Sequence, residues 1–185
     1  MKVVRLVPLQ NPVWAEVVVP GSKSYTNRAL TLAALTRGTV RISNPLLSDD
    51  TAAMIGCLRT LGIDVSQLRN CIEVSGDIFS VRSGWYILDA DLSGTTIRFL
   101  TALATLIPGV KTLYGKEGLN KRPIGHLIDA LRQLGAQIDY IGSDGYPPVR
   151  VSSSTLRPGT IKMSGEVSSQ FLSALLMIAP LVGQV

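Results

Sequence analysis

Ile97-Arg98-Phe99-Leu100-Thr101-Ala102-Leu103 returns downstream as Ser169-Gln170-Phe171-Leu172-Ser173-Ala174-Leu175, almost position for position, at a shift of 72 residues. The same frame lays Thr26-Asn27-Arg28-Ala29-Leu30 on Thr96-Ile97-Arg98-Phe99-Leu100, at a shift of 70. Three copies of one helix start are therefore present, each opening with small hydroxyl residues and a long polar donor. Spacing of this kind marks a repeat architecture in which units pack on one another.

Each of the first two copies is followed by a second helix, expected over Asp49 to Leu61 and over Arg122 to Leu134. Met54, Ile55, Leu58 and Leu61 in one, and Ile124, Leu127, Ile128, Leu131 and Leu134 in the other, keep the spacing of one apolar helix face. Gly62 and Gly135 follow matching Leu-Arg-Xaa-Leu segments and read as C-terminal stops. The runs Ala29 to Leu35 and Phe99 to Leu106 are apolar all round, as a buried helix should be. Short β-branched or alternating runs predict strands at Thr39 to Ile42, Ile72 to Val74, Val110 to Tyr114, Gln137 to Tyr140, Val149 to Val151 and Thr160 to Met163. The unit is helix, strand, helix, strand, strand. It is complete at about 21–87 and 88–158 and begins again at 159–185, with 1–20 standing outside the repeat.

The chain has 185 residues, 46% hydrophobic and 17% charged, enough to bury an ordinary core. Eighteen Lys and Arg stand against 13 Asp and Glu, a formal charge of +5, but no basic run is interleaved with aromatics. That balance favours small anionic ligands over nucleic acid. Cys57 and Cys71 form no C-x-x-C pair and His126 is the single histidine, so neither a zinc site nor a Cys/His dyad can be assembled. His126 reads as a packed or capping residue, and Met54, Met163 and Met177 as core filler. The N-terminal stretch is broken by Pro8, Pro12, Glu16 and Pro20, and no apolar run approaches membrane-spanning length, so a reducing cytoplasm is the expected location.

Chemistry concentrates at the helix starts. Gly21-Ser22-Lys23-Ser24-Tyr25-Thr26-Asn27-Arg28 places two cations and several hydroxyls where the first amides of a helix lack carbonyl partners and carry the positive end of its dipole. An Arg forks onto two oxygens and a Lys supplies a point charge, a donor set richer than capping needs. In Ser93-Gly94-Thr95-Thr96-Ile97-Arg98, Gly94 lets a ligand approach the backbone, although a capped buried helix explains the same residues and Arg98 could instead pair with Asp49 or Asp50. Lys121 and Arg122 precede Pro123, which suits a first helical position, so they bracket another dipole-positive end or form an exposed basic loop. Ser168-Ser169-Gln170 offers hydroxyl and amide donors, or simply a cap. If the units pack around an axis, the three starts converge on one anionic ligand.

These motifs, in this order, resemble the 5-enolpyruvylshikimate-3-phosphate synthase family. The match runs through Gly21 to Arg28, Ser48-Asp49-Asp50-Thr51, Ser93 to Arg98, Lys121-Arg122-Pro123-Ile124-Gly125-His126-Leu127, Tyr146-Pro147-Pro148 and Gly165-Glu166-Val167-Ser168-Ser169-Gln170-Phe171. The resemblance implies an α/β (α+β) protein of repeated βαβαββ units, two complete here and a third truncated. It implies substrates closed between two domains, with 1–20 packing on a C-terminal half that this chain lacks and 21–185 forming an incomplete N-terminal substrate-binding domain. It implies transfer of the carboxyvinyl group of phosphoenolpyruvate to the 5-hydroxyl of shikimate 3-phosphate, with release of phosphate and no metal or organic cofactor. Carried over motif by motif, Lys23 falls between both substrates. Ser24, Arg28, Ser168, Ser169 and Gln170 fall on shikimate 3-phosphate, and Gly94 and Arg122, with Gln170, on phosphoenolpyruvate. A tetrahedral, highly anionic intermediate is what such preorganised donors stabilise. The family's proton-transferring acid and further cationic ligands lie in its later half, so the isolated chain is expected to bind without turning over.

Asp91-Leu92 departs from the family, which has Gly-Asn there; an added carboxylate near an anionic substrate opposes binding, and the lost Asn amide removes a donor. Two other readings stand beside this one. A UDP-N-acetylglucosamine enolpyruvyl transferase shares the fold, but its loop before the Arg-Pro pair carries a Cys and its Lys is followed by Asn, whereas Gly115 to Lys121 has no Cys and Lys23 precedes Ser24. A non-catalytic anion-binding fragment is the other.

Overall fold

The computed structural model describes residues 3–152, 155–163 and 168–183. Residues 3–20 carry neither helix nor strand and are exposed throughout. The first unit then follows as α1 (Lys23–Ala34), β1 (Thr39–Ser43), α2 (Asp49–Thr60), β2 (Asp64–Leu68) and β3 (Cys71–Ser75). A short 3₁₀ turn at Ile78–Ser80, capped by Asp77, leads to β4 (Trp85–Asp89). The second unit continues through α3 (Gly94–Ala104), β5 (Val110–Tyr114), α4 (Glu117–Asn120), α5 (Gly125–Gln133), β6 (Gln137–Tyr140) and β7 (Val149–Ser152). The third copy of the first helix is α6 (Ser169–Val182).

The repeat is visible in the sheets. β1-β3-β2 is an antiparallel three-stranded sheet, and β5-β7-β6 repeats it with β4 added in parallel outside β5. Inward positions of the central strands, Ile72 and Val74 in β3 and Val149 and Val151 in β7, are fully buried. α2 and α5 end alike. Gly62 and Gly135 take φ of +85° and +97°, and the paired bonds Gly62 N–H to Arg59 O, Ile63 N–H to Leu58 O, Gly135 N–H to Arg132 O and Ala136 N–H to Leu131 O close both helices in the same left-handed cap. Arg59 and Arg132 then each reach forward to a strand carbonyl, Val65 O and Ile138 O.

α3 is the hub, with ten of its eleven residues buried between the other helices and the sheets. Phe99, Leu100 and Leu103 are wholly inaccessible, each worth ~1.5–3 kcal/mol of burial. Its threonines stay satisfied without solvent: Thr101 Oγ1 donates to Ile97 O, as Thr31 Oγ1 does to Asn27 O in α1. α1 is less enclosed than expected, because Leu32 remains 46% exposed. Met54 is fully buried, while Met163 and Met177 pack at the core margin.

The structure alters several expectations. Among the described residues Thr160–Met163 joins no sheet and has no strand beside it to ladder with; the run borders an apolar groove of about 650 Å³ beside α6. β2 and β4 were not foreseen. α5 begins at Gly125 instead of Arg122, because the Ile124 and Gly125 N–H groups both donate to Gly145 O and tie that turn to the loop before β7. No helix among the described residues is long and apolar enough to cross a membrane.

Candidate functional site

The first two turns of α1, α3 and α6 are joined side chain to side chain. Ser22, Ser93 and Ser168 are the three N-caps, their hydroxyls accepting from Tyr25, Thr96 and Gln170 N–H respectively, so the matched hydroxyl positions do cap. The long polar residues one turn on then cross between helices. Arg28 in α1 donates from Nη1 to Ser24 O (3.2 Å) and from Nη2 to Ser173 Oγ in α6 (3.0 Å), with its guanidinium 5.3 Å above the Phe99 ring of α3. Arg98 in α3 donates to Gln170 Oε1 in α6 (2.5 Å), and Gln170 Nε2 donates back to Thr95 Oγ1 (3.3 Å).

α2 brings in a carboxylate. At its start the Ser48 N–H donates to Thr51 Oγ1 and Thr51 Oγ1 donates to Ser48 O, while Thr96 Oγ1 of α3 donates to Asp50 O. That leaves Asp50 Oδ2 2.9 Å from Lys23 Nζ. Burial alone raises the Asp50 carboxyl, but the Ser93 hydroxyl and the Lys23 ammonium outweigh it and, with Arg122 nearby, hold it below its usual value. Lys23 keeps 46% of its side chain exposed, so the pair holds the ammonium without enclosing it, and such pairs contribute about 1 kcal/mol or less.

Arg122 and Lys121 separate. Lys121 caps the end of α4 and pairs with Glu117 (2.6 Å), away from the cluster. Arg122 donates to Leu92 O (3.5 Å) and lies over the start of α3, not of α5: a Cβ added at Gly94 would stand 3.4 Å from its Nη1 and 3.8 Å from Arg98 Nη1. The Gly94 backbone thus faces two guanidiniums. Burial first, and then the Arg122 charge, depress the Arg98 guanidinium. The alternative pairing of Arg98 with Asp49 or Asp50 is not the one made: its donor goes to Gln170.

Ser24 and Ser169 are exposed on the first turns of α1 and α6. Residues 165–167 of the Gly165 to Phe171 motif lie outside the described residues. His126 is exposed instead of packed in the core, its ring 6.4 Å from that of Phe171. Asp91 adopts φ +50°, a left-handed conformation that suits glycine, and its Oδ1 is 2.7 Å from Lys116 Nζ, so the extra carboxylate is partnered. Cys57 is buried, its thiol pushed up to about 12 mainly by desolvation, and donates to Asp89 O; such a thiol is unreactive. The arrangement is therefore a set of cationic and amide donors around helix amides, suited to holding oxyanions and to stabilising charge that develops on them. Arg98 and Asp50 are the participants that the sequence left unassigned; the match of Arg98 to Arg28 and the place of Asp50 in the Ser48 to Thr51 motif were the visible signals.

The sequence matches the family EPSP synthase (3-phosphoshikimate 1-carboxyvinyltransferase) over residues 7–184. A 3-phosphoshikimate 1-carboxyvinyltransferase from Shewanella baltica (strain OS185) is 43% identical over 185 residues, covering 98% of this chain and 43% of the relative. One from Bordetella parapertussis (strain 12822 / ATCC BAA-587 / NCTC 13253) is 44% identical over 172 residues, 91% of this chain and 38% of the relative. The solved EPSP synthase from Acinetobacter baumannii superposes with a TM-score of 0.80 at 26% identity, covering 87% of this chain and 37% of that one. The chain thus spans about two-fifths of the length of these proteins. With the family match running through nearly all of it and the repeat fold shared with a solved member, the chain belongs to the EPSP synthase family.

Proposed function

We propose that this chain supplies the shikimate 3-phosphate-binding half of a 3-phosphoshikimate 1-carboxyvinyltransferase. In that reading the whole protein, cytoplasmic and working without metal or organic cofactor, moves the carboxyvinyl group of phosphoenolpyruvate to the 5-hydroxyl of shikimate 3-phosphate and releases phosphate. The observation that carries it is the joining of α1, α3 and α6 near their starts, where Arg28 reaches Ser173 and Arg98 reaches Gln170, with Lys23 held by Asp50 and Arg122 turned onto Gly94. Lys23, Ser24, Arg28, Ser168, Ser169 and Gln170 would bind the phosphate and hydroxyls of shikimate 3-phosphate. Gly94 and Arg122, with Lys23 and Gln170, would take the carboxylate and phosphate of phosphoenolpyruvate, and Lys23 would oppose charge on both as the anionic intermediate forms. Residues 3–20, exposed and without strand partners, are assigned to pack on the other half of the longer protein, leaving 21–185 as the incomplete N-terminal domain.

A second reading is favoured by the coverage of the relatives: alone, the 185-residue chain is a non-catalytic anion-binding unit. Calorimetric titration with shikimate 3-phosphate, with UDP-N-acetylglucosamine in a parallel cell, tests the assignment. Saturable heat with the first alone is expected, and saturable heat with the second alone would overturn it. Phosphate release with phosphoenolpyruvate and shikimate 3-phosphate together would remove the second reading.

A further inference from the structure

We propose that Arg98 is a positioning residue that fixes which end of the Gln170 amide faces the ligand. A guanidinium has donors only, so the amide against it must present its oxygen. Gln170 Oε1 is 2.5 Å from Arg98 Nη1, and the opposite end, Nε2, is consequently turned toward Thr95 Oγ1 at 3.3 Å. One Nε2 proton goes to Thr95. The other is left to donate to an anionic oxygen in front of α3 and α6. The terminal torsion of a glutamine is soft and nearly two-fold, so without Arg98 the amide can rotate by half a turn and offer lone pairs where an anion needs a donor.

Arg98 is itself held. Nη1 also reaches Ser168 Oγ (3.5 Å), Nη2 reaches Pro123 O (3.4 Å), and the guanidinium carbon lies 4.9 Å above the Phe171 ring. The clamp is built into the repeat: Arg28 of the first unit lies over Phe99 of the second, and Arg98 of the second lies over Phe171 of the third. In the third copy the matched position is no longer arginine but Gln170, which receives the donor of the copy before it. The substitution that ends the series of arginines also creates an amide whose orientation the previous arginine controls.

The geometry stands without any ligand, whereas the identity of the ligand rests on the shikimate 3-phosphate reading. The test separates the two. In the ligand-free ¹⁵N-labelled chain, the Gln170 side-chain amide pair is assigned by its loss in Gln170→Ala. Arg98→Met should move that pair to free-amide positions, and Arg98→Lys, which keeps one donor and the aliphatic stem over Phe171, should restore part of the difference. An amide pair unmoved in both variants would overturn the proposal whatever the chain binds. In titrations with shikimate 3-phosphate, Arg98→Met and Gln170→Ala should each weaken binding about tenfold, and together no more than either alone. Losses that multiply in the double variant would make Arg98 an independent ligand and refute a positioning role. Absence of binding by the unmodified chain would sink the ligand reading while the amide spectrum still decides the proposal.

Discussion

Replacing Lys111 by methionine will remove a rise in stability with pH that the unmodified chain shows above neutrality. Lys111 lies on β5 with no accessible surface, and its ammonium donates to Ile107 O and Gly109 O in the turn after α3. Among the described residues no carboxylate pairs with it, and desolvation lowers its pKa from 10.5 to about 8. Below pH 8 the folded and unfolded states are both protonated, so the penalty of about 3 kcal/mol is fully present there. Between about 8 and 10.5 the folded state releases a proton that the unfolded chain still holds, and stability climbs. Methionine removes the buried charge but strands two carbonyls, each costing ~1–3 kcal/mol. The two effects nearly cancel at pH 7, where the variant should be within about 1–2 kcal/mol of the parent. Urea unfolding followed by circular dichroism at pH 7.5, 8.5 and 9.5 should show the stability difference, parent minus variant, growing by about 2 kcal/mol over that range. Taking the difference cancels the two tyrosines held above their usual values, Tyr114 by Asp89 and Tyr140 by burial, which act equally in both proteins. A difference constant to within about 0.5 kcal/mol would show that the ammonium does not titrate in this window, and that the two carbonyl bonds outweigh desolvation.

Asp50→Asn should release Lys23 and add one unit of positive charge to the cluster, tightening inorganic phosphate binding about 3- to 10-fold at low salt while changing stability by under about 1 kcal/mol; calorimetry showing no change in phosphate affinity would take Lys23 out of the anion site. Asp91→Gly should be close to neutral, because relief of the left-handed conformation, about 1 kcal/mol, is offset by the lost Lys116 pair and a more flexible unfolded chain. A thermal melt shifted downward by 8 °C or more, roughly 2–4 kcal/mol for a chain of this size, would mean that the Lys116 pair dominates that loop.

Some of the site was legible because its signals are local. A hydroxyl cap, a helix period and a glycine stop each act within a few residues, so α1, α2, α3, α6 and the matched ends at Gly62 and Gly135 could be read directly. β2 was not, because Asp64-Val65-Ser66-Gln67-Leu68 buries only Val65 and carries almost no apolar alternation. Nor was β4, a compact Trp-Tyr-Ile-Leu run whose strand character comes from pairing in parallel with β5. The start of α5 was misplaced because Gly145, twenty residues on from Gly125, supplies the carbonyl that satisfies its first amides.

By itself the sequence determined the repeated unit, the donor-rich helix starts and the candidates Lys23, Arg28, Gly94, Arg122 and Gln170, since each is written in residue types at fixed short spacing. Tertiary structure decided which of them meet. Asp50 captures Lys23 across 27 residues, Arg98 turns to Gln170 across 72 instead of to Asp49 or Asp50, and Arg122, in the turn before α5, reaches the start of α3 at Gly94. The physical reason is range: capping and periodicity are settled within one turn of backbone, whereas the partner of a long cationic side chain is set by how α1, α3 and α6 pack, and that follows from the whole core.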